Sequence, residues 1–225
     1  MAVHFLHIGK TGGSAIKWAL NHADSTETPY GPIQLHRHSF KMREVPLTDR
    51  VIFFVRDPVS RFMSGFYSRL SKGQPRYYYE WTEGERKAFE TFQTPQALAA
   101  ALGSDDEELR RLARYATRAI RHTRPMYGYT GGPLRLRLRR RQIVYIGRLE
   151  TIAADWKQIK GLLELPPDLK LPKGPWRAHR QKEPLDMTLD DFELRSLKEW
   201  YAGDYKLVEY CDKVRRRKGW GVDAG

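Results

Sequence analysis

The chain is 225 residues long, 40% hydrophobic and 12% aromatic, which suits one domain, or one domain with an insertion, around a sizeable core and excludes wholesale disorder. Its 40 Lys and Arg against 27 Asp and Glu give a formal charge of +13, so the expected partners are anions: phosphates, sulfates, acidic polysaccharide or nucleic acid. Cys211, the only cysteine, excludes an intrachain disulfide framework and a cysteine-rich metal site. The segment Met1 to Ile8 has no basic lead and no long apolar stretch, and no later segment approaches the roughly 18 consecutive apolar residues of a membrane span. The expectation is a soluble, cytoplasmic protein without a membrane span.

In chain order, Val3 to Ile8 is a short apolar run that predicts a buried strand. Gly9-Lys10-Thr11-Gly12-Gly13-Ser14 breaks it, and Ala15 to His22 has helical spacing through Ile16, Ala19 and Leu20. The strand, loop, helix pattern repeats at Val51 to Val55, then Arg56-Asp57-Pro58, then a periodic stretch through Phe62, Phe66 and Leu70, with Pro58 suited to a first helical turn. Residues 75 to 142 read as helical with a basic surface. Within them Ser104 and Glu107 suggest a capping box, and Leu109, Leu112, Ala113, Ala116 and Ile120 form one apolar stripe. Leu134, Leu136 and Leu138 alternate with arginines and suggest a half-exposed strand; Ile143 to Ile146 predicts a third buried one. Pro166 to Pro184 reads as a long loop, Leu189 to Lys213 as a final helix, and Arg215 to Lys218 as a frayed tail. Apolar strands alternating with helices imply a mostly parallel α/β sheet, in which ligands sit at the carboxyl ends of strands, where both unusual loops fall.

The loop Gly9 to Ser14 offers backbone N–H groups, a cation and two hydroxyls at a helix start, the parts of a phosphate cradle. It is not the nucleotide-hydrolase pattern, whose Gly-Lys pair ends the loop, and no acidic residue closes Val51 to Val55 to hold magnesium. Taken alone, the glycines need mean no more than a tight turn. In the second loop, Arg56 can present a planar fork and Ser64, about two turns into the helix, a hydroxyl to one phosphate. Taken singly, each reads equally as a surface or packing residue.

Together the two loops resemble the PAPS-dependent sulfotransferase family, whose donor is 3′-phosphoadenosine 5′-phosphosulfate. Phe5 to Ser14 is similar to its 5′-phosphosulfate loop, with Gly9 where the common form has proline, and Val55 to Phe66 is similar to its 3′-phosphate motif. Tyr145 to Glu150 and Trp200 to Tyr205 resemble, more weakly, the later motifs of the carbohydrate branch. The resemblance implies one P-loop-like α/β domain over 1–225, with a basic helical insertion at about 75–142 that selects the acceptor. It also implies direct, in-line, metal-free transfer of a sulfuryl group from PAPS to a hydroxyl, expected to be that of a saccharide or glycan. Charge then develops on the bridging oxygen as the phosphate leaves, and Lys10 is the expected catalytic cation there. Thr11, Gly12, Gly13 and Ser14 are expected to hold the 5′-phosphate, and Arg56 with Ser64 the 3′-phosphate.

A hydroxyl acceptor needs a base. His36-Arg37-His38 resembles the His-x-His segment of uronyl 2-O-sulfotransferases, which makes His38 the expected base and His36 its companion; Glu44 is the alternative. An exposed histidine pair is the bland reading. His7 reads as packed rather than catalytic, and His122 and His179 as outsiders. The basic runs 135–141, 173–182 and 215–218 read as glycan contacts or simply as solvated faces, and Tyr77, Tyr78, Tyr79 and Trp81 as a sugar platform or core cover. The same fold and charge also admit two rival readings: a magnesium-dependent nucleotide phosphotransferase, and a basic nucleic-acid-binding module that lacks any recognisable motif.

Overall fold

In chain order the elements are β1 (Val3–Leu6), α1 (Gly13–Leu20), β2 (Ile33–Leu35), β3 (Arg50–Val55), α2 (Pro58–Leu70), α3 (Glu83–Thr91), α4 (Pro95–Leu102), α5 (Glu107–Ala119), α6 (Tyr127–Thr130), α7 (Gly132–Leu138), β4 (Ile143–Arg148), α8 (Ile152–Leu162), α9 (Asp191–Trp200) and α10 (Ala202–Lys218), joined by loops and short 3₁₀ turns. This computed structural model describes residues 1–23, 26–75, 77–172 and 186–221. They divide into two compact units. One is built from the described parts of Met1–Arg56, Met126–Arg180 and Lys206–Gly225, the other from those of Asp57–Pro125 and Gln181–Tyr205.

The first unit carries the sheet. Its four strands are all parallel, in the order β2-β1-β3-β4. Alternation along β3 sends Ile52 and Phe54 to one face and Val51, Phe53 and Val55 to the other. The first face packs on Ile16, Ala19 and Leu20 of α1 and Trp156 and Ile159 of α8; the second on Met42, Leu136 of α7, and Leu207 and Cys211 of α10. Both faces being covered is why these strands read as continuous apolar runs. Because β2 lies on one side of β1 and β3 on the other, the loops after β1 and β3 open at the point where strand order reverses, the preferred ligand crevice of such sheets.

The second unit is helical, around Phe62, Phe66, Phe89, Leu98, Ala113, Leu197 and Tyr201. Each helix start has its cap: Asp57 accepts from the Ser60 N–H at 2.7 Å, Thr94 caps α4, and Thr82 with Glu85 and Asp190 with Glu193 form capping boxes. A buried pair, Arg69 and Glu85 at 2.8 Å, ties α2 to α3; Arg69 also donates to the carbonyls of Tyr79 and Glu80, and Glu85 accepts from the Arg121 N–H.

Several sequence expectations are corrected here. Residues 134–138 belong to helix α7, not a strand: Pro133 sits in its first turn, Leu136 is buried, and Leu134 and Leu138, one turn apart, are exposed. Asp106, not Ser104, caps α5, accepting from the N–H groups of Glu108 and Leu109. The last helix is two, α9 and α10, parted at Tyr201. Arg215 is no frayed residue: it is buried, donating to the Ile146 carbonyl at 2.7 Å and to Asp155 at 2.9 Å. Strand β2, three residues long, had no sequence signal. Of the expected loop 166–184, and of the basic run 173–182 with His179, the residues from 173 on lie outside those described. No helix among the described residues is long and apolar enough to cross a membrane.

Candidate active site

The loop after β1 is shaped by its neighbours. Lys10 adopts φ 66° and Gly12 φ 87°, both left-handed, a conformation costly for a lysine and free for a glycine. The Thr11 hydroxyl donates to the Ile8 carbonyl at 2.9 Å and the residue is buried, so its proton is engaged within the loop. Helix α1 opens at Gly13 with no side-chain cap and no acidic residue in its first turn, leaving its first N–H groups without intrahelical partners. An anion fits such an end. A Cβ on Gly12 would lie 2.7 Å from Ile152 and 2.9 Å from Leu149, which brings the weak third motif, 145–150, directly against the loop.

The second loop reaches the first through Arg56, whose Nη1 donates to the Lys10 carbonyl at 3.4 Å. Ser64 stands on α2, half-buried, in the second unit.

The His-x-His segment follows β2 and lies beside β1. His38 Nδ1 is 3.0 Å from the His7 carbonyl, and the His38 ring packs on the His7 ring at 3.9 Å between centroids. A carbonyl can only accept, so His38 carries its proton on Nδ1, and the neutral ring has its lone pair on Nε2. His7 is buried, as expected, and its ring abuts Gly13, where an added Cβ would lie 2.3 Å from Cδ2. The order Gly13, His7, His38 thus links the loop after β1 to the expected base. His36 points elsewhere: its Nε2 is 2.8 Å from His4 Nδ1, its ring stacks on Phe40 at 3.6 Å, and its carbonyl accepts from Lys17 Nζ at 3.1 Å. Burial, then the nearby His4 and Lys17, hold the His36 imidazole below its usual range against an opposing pull from Glu44. Glu44 itself is exposed and accepts from the Lys41 N–H at 2.8 Å, capping a 3₁₀ turn. His122 lies in the second unit, where its carbonyl packs close to Gly65 of α2.

The sequence model of the sulfotransferase family matches residues 2–211. The chain belongs to the sulfotransferase family. It is a sulfotransferase that uses PAPS and passes the sulfuryl group to a hydroxyl-bearing acceptor, which sets aside the phosphotransferase and nucleic-acid readings. No curated protein and no solved structure matches the chain.

The sequence assigns no role at the site to three residues that surround the His-x-His segment of this sulfotransferase. His7 was read as mere packing although its carbonyl orients His38; Asp49 and Lys17 carried no local signal, since only the strand order brings Asp49 to His4 and α1 to the His36 carbonyl.

Proposed function

We propose that the acceptor is a saccharide hydroxyl and that His38 is the base that deprotonates it. The observation that carries this is the Nδ1 hydrogen bond of His38 to the His7 carbonyl, which leaves Nε2 as the basic nitrogen of a ring one residue removed from the donor loop. The donor supplies a sulfuryl group whose departure puts negative charge on a phosphate oxygen. Lys10 meets that charge; the N–H groups at the start of α1, with Ser14, hold the 5′-phosphate; Arg56, with Ser64 carried over from the sequence motif, holds the 3′-phosphate. Thr11 contributes its backbone N–H, because its hydroxyl serves the loop.

Residues 75–142 select the acceptor in this reading. The second unit exposes Tyr77, Tyr78 and Tyr79, with Lys72 4.9 Å from the Trp81 ring centroid and Arg121 4.9 Å from that of Tyr79. Flat rings beside cations suit sugars that carry carboxylates or sulfates.

The test is sulfuryl transfer from labelled PAPS to uronate-containing polysaccharides, neutral oligosaccharides and simple phenols, run with His38→Ala. Transfer to a saccharide, with the rise of kcat/KM with pH flattened and activity down roughly 10²–10⁴-fold in the variant, supports the proposal. Transfer to phenols alone refutes the acceptor class, and an unchanged pH limb refutes the base.

A further inference from the structure

Beside the His-x-His segment, the titratable side chains of Asp49, His4 and His36 form a hydrogen-bonded chain. Asp49 precedes β3, His4 lies on β1 and His36 follows β2; parallel pairing sets Val3 opposite Arg50 and His4 opposite Gln34, so the three meet across neighbouring strands. His4 Nε2 is 3.0 Å from Asp49 Oδ2, and His4 Nδ1 is 2.8 Å from His36 Nε2. His4 is buried, and the rings of His4, His36 and Phe40 stack nearly parallel. The Asp49 carboxylate also accepts from the Ala2 N–H at 3.2 Å and the Thr48 hydroxyl at 3.3 Å, and the His4 contact holds it below the usual carboxylate range.

The proton positions follow from chemistry. An ionised carboxylate only accepts, so His4 Nε2 bears a hydrogen. In neutral His4 the other nitrogen, Nδ1, is then an acceptor, and His36 must donate to it from Nε2. The lone pair of His36 is thereby fixed on Nδ1, its tautomer dictated by Asp49 two residues away along the chain. Two N–H groups cannot face each other at 2.8 Å, so the pair of rings holds at most one extra proton. The charged groups facing His36 are His4 with Asp49 behind it, Lys17 from α1 with Arg37 near it, and Glu44 from the 3₁₀ turn.

We propose that Asp49 and His4 are positioning residues: by imposing one tautomer and one ring orientation on His36, they anchor the 36–40 segment and so hold His38 against the His7 carbonyl. This rests on the reading of His38 as the base. Asp49→Asn leaves an amide that can donate or accept, so it keeps the shape of the carboxylate but no longer dictates the direction of the chain.

The experiment is long-range ¹H–¹⁵N NMR of the histidine rings in the full chain with PAP bound, paired with steady-state kinetics. At pH 8 His36 is expected as the Nε2–H tautomer and His38 as Nδ1–H. Asp49→Asn should give mixed His36 tautomers and lower kcat by about 10–10²-fold, the scale for outer partners that orient a working imidazole, with PAP affinity within about twofold. Asp49→Glu, which keeps the carboxylate, should recover the single tautomer and most of kcat. A wild-type His36 that is Nδ1–H or a mixture overturns the proposal, whatever the variants do. So does an Asp49→Asn protein with unchanged tautomer and kcat. If Asp49→Asn fails to fold, the wild-type spectrum and Asp49→Glu still decide. Should His38→Ala keep its pH limb while the tautomer order holds, the base assignment alone has failed.

Discussion

Gly13→Ala tests the link between the loop after β1 and His38, the proposed base. Gly13 needs no left-handed backbone, and an alanine in a first helical turn would by propensity gain up to about 1 kcal/mol. Contact opposes it. The added Cβ would lie 2.3 Å from His7 Cδ2 and 2.7 Å from Nε2, so the ring must retreat by about 1 Å to reach the 3.4 Å of ordinary van der Waals contact. The His7 ring is already packed against His38, 3.9 Å between centroids, and against Phe5, which limits its retreat. Overpacking of this kind costs about 1–3 kcal/mol, which outweighs the propensity gain and, at about 2–4 °C per kcal/mol for a chain of this size, lowers Tm by several degrees. Displacing a base by about 1 Å costs about 10²-fold in rate, so kcat should fall further than stability alone suggests. Thermal unfolding and PAPS-dependent turnover are measured for Gly13→Ala, His7→Ala and the double variant. Without the imidazole the alanine has room, so in the His7→Ala background Gly13→Ala should be neutral or stabilising. An equal penalty in both backgrounds, or wild-type Tm and kcat in the single variant, refutes the packing argument.

Lys10→Ala should keep PAP binding and lose on the order of 10²-fold or more in kcat, whereas Lys10→Gly should lose as much activity yet gain about 1 kcal/mol by relaxing φ 66°; near-normal kcat in either removes Lys10 from the transition state. Arg56→Ala should erase most of a preference for PAP over AMP, since a hydrogen bond to a charged group is worth about 1.5–3 kcal/mol, and calorimetry showing equal affinities in the unmodified protein rules out the 3′-phosphate role. Asp155→Ala strips a fully buried carboxylate from Arg215, the Tyr145 and Thr151 hydroxyls and the Arg148 N–H, and should cost about 3–5 kcal/mol in denaturant unfolding; under about 1 kcal/mol would mean the network is not holding α10. For Glu85, burial pushes the carboxyl up, but Arg69 and the N–H groups of Thr82 and Arg121 prevail and hold it below its usual range. That stabilisation is complete above the unfolded value near 4.3 and is lost as pH falls through the lower folded value, so Glu85→Gln should flatten the acid limb of stability below about pH 4.5; a limb of unchanged slope counts against it.

The parts of the fold legible in the sequence are those where one local rule decides. β1 and β3 are continuous apolar runs because both faces of the sheet are covered, and Pro58 marks the start of α2 because its missing N–H is no loss there. Residues 134–138 misled because alternating leucine and arginine mimics period two, while the deciding signal was Gly131 in the left-handed cap with Pro133 behind it. Arg215 looked like one of four basic tail residues, and nothing local distinguishes it; its partners Asp155 and Ile146 lie 60 and 69 positions away. The site divides the same way. Lys10 to Ser14 and Arg56 stand in contiguous motifs, so the sequence alone nominates them, whereas Asp49 and His4 come together only through the β2-β1-β3 strand order.

That division bears on how the site does its work. A lysine in the left-handed region costs about 1–2 kcal/mol relative to the right-handed form and persists only where its surroundings over-determine it. Here four contacts do so: Thr11 donates to the Ile8 carbonyl ahead of Lys10, Arg56 donates to the Lys10 carbonyl, Leu149 and Ile152 close on Gly12, and His7 closes on Gly13. They come from residues 7–11, from Arg56 and from the 149–152 segment, and all belong to the unit that carries the sheet. A cation stabilises developing charge most when it is already oriented before that charge appears, because no reorganisation is then needed at the moment of transfer. Arg56 adds a coupling of its own: the side chain proposed to grip the 3′-phosphate also bonds the carbonyl of the residue proposed to meet the leaving oxygen. The proposed 3′-phosphate ligand and the proposed catalytic cation therefore share one guanidinium, so Arg56→Ala is expected to loosen Lys10 as well as to weaken binding of the 3′-phosphate.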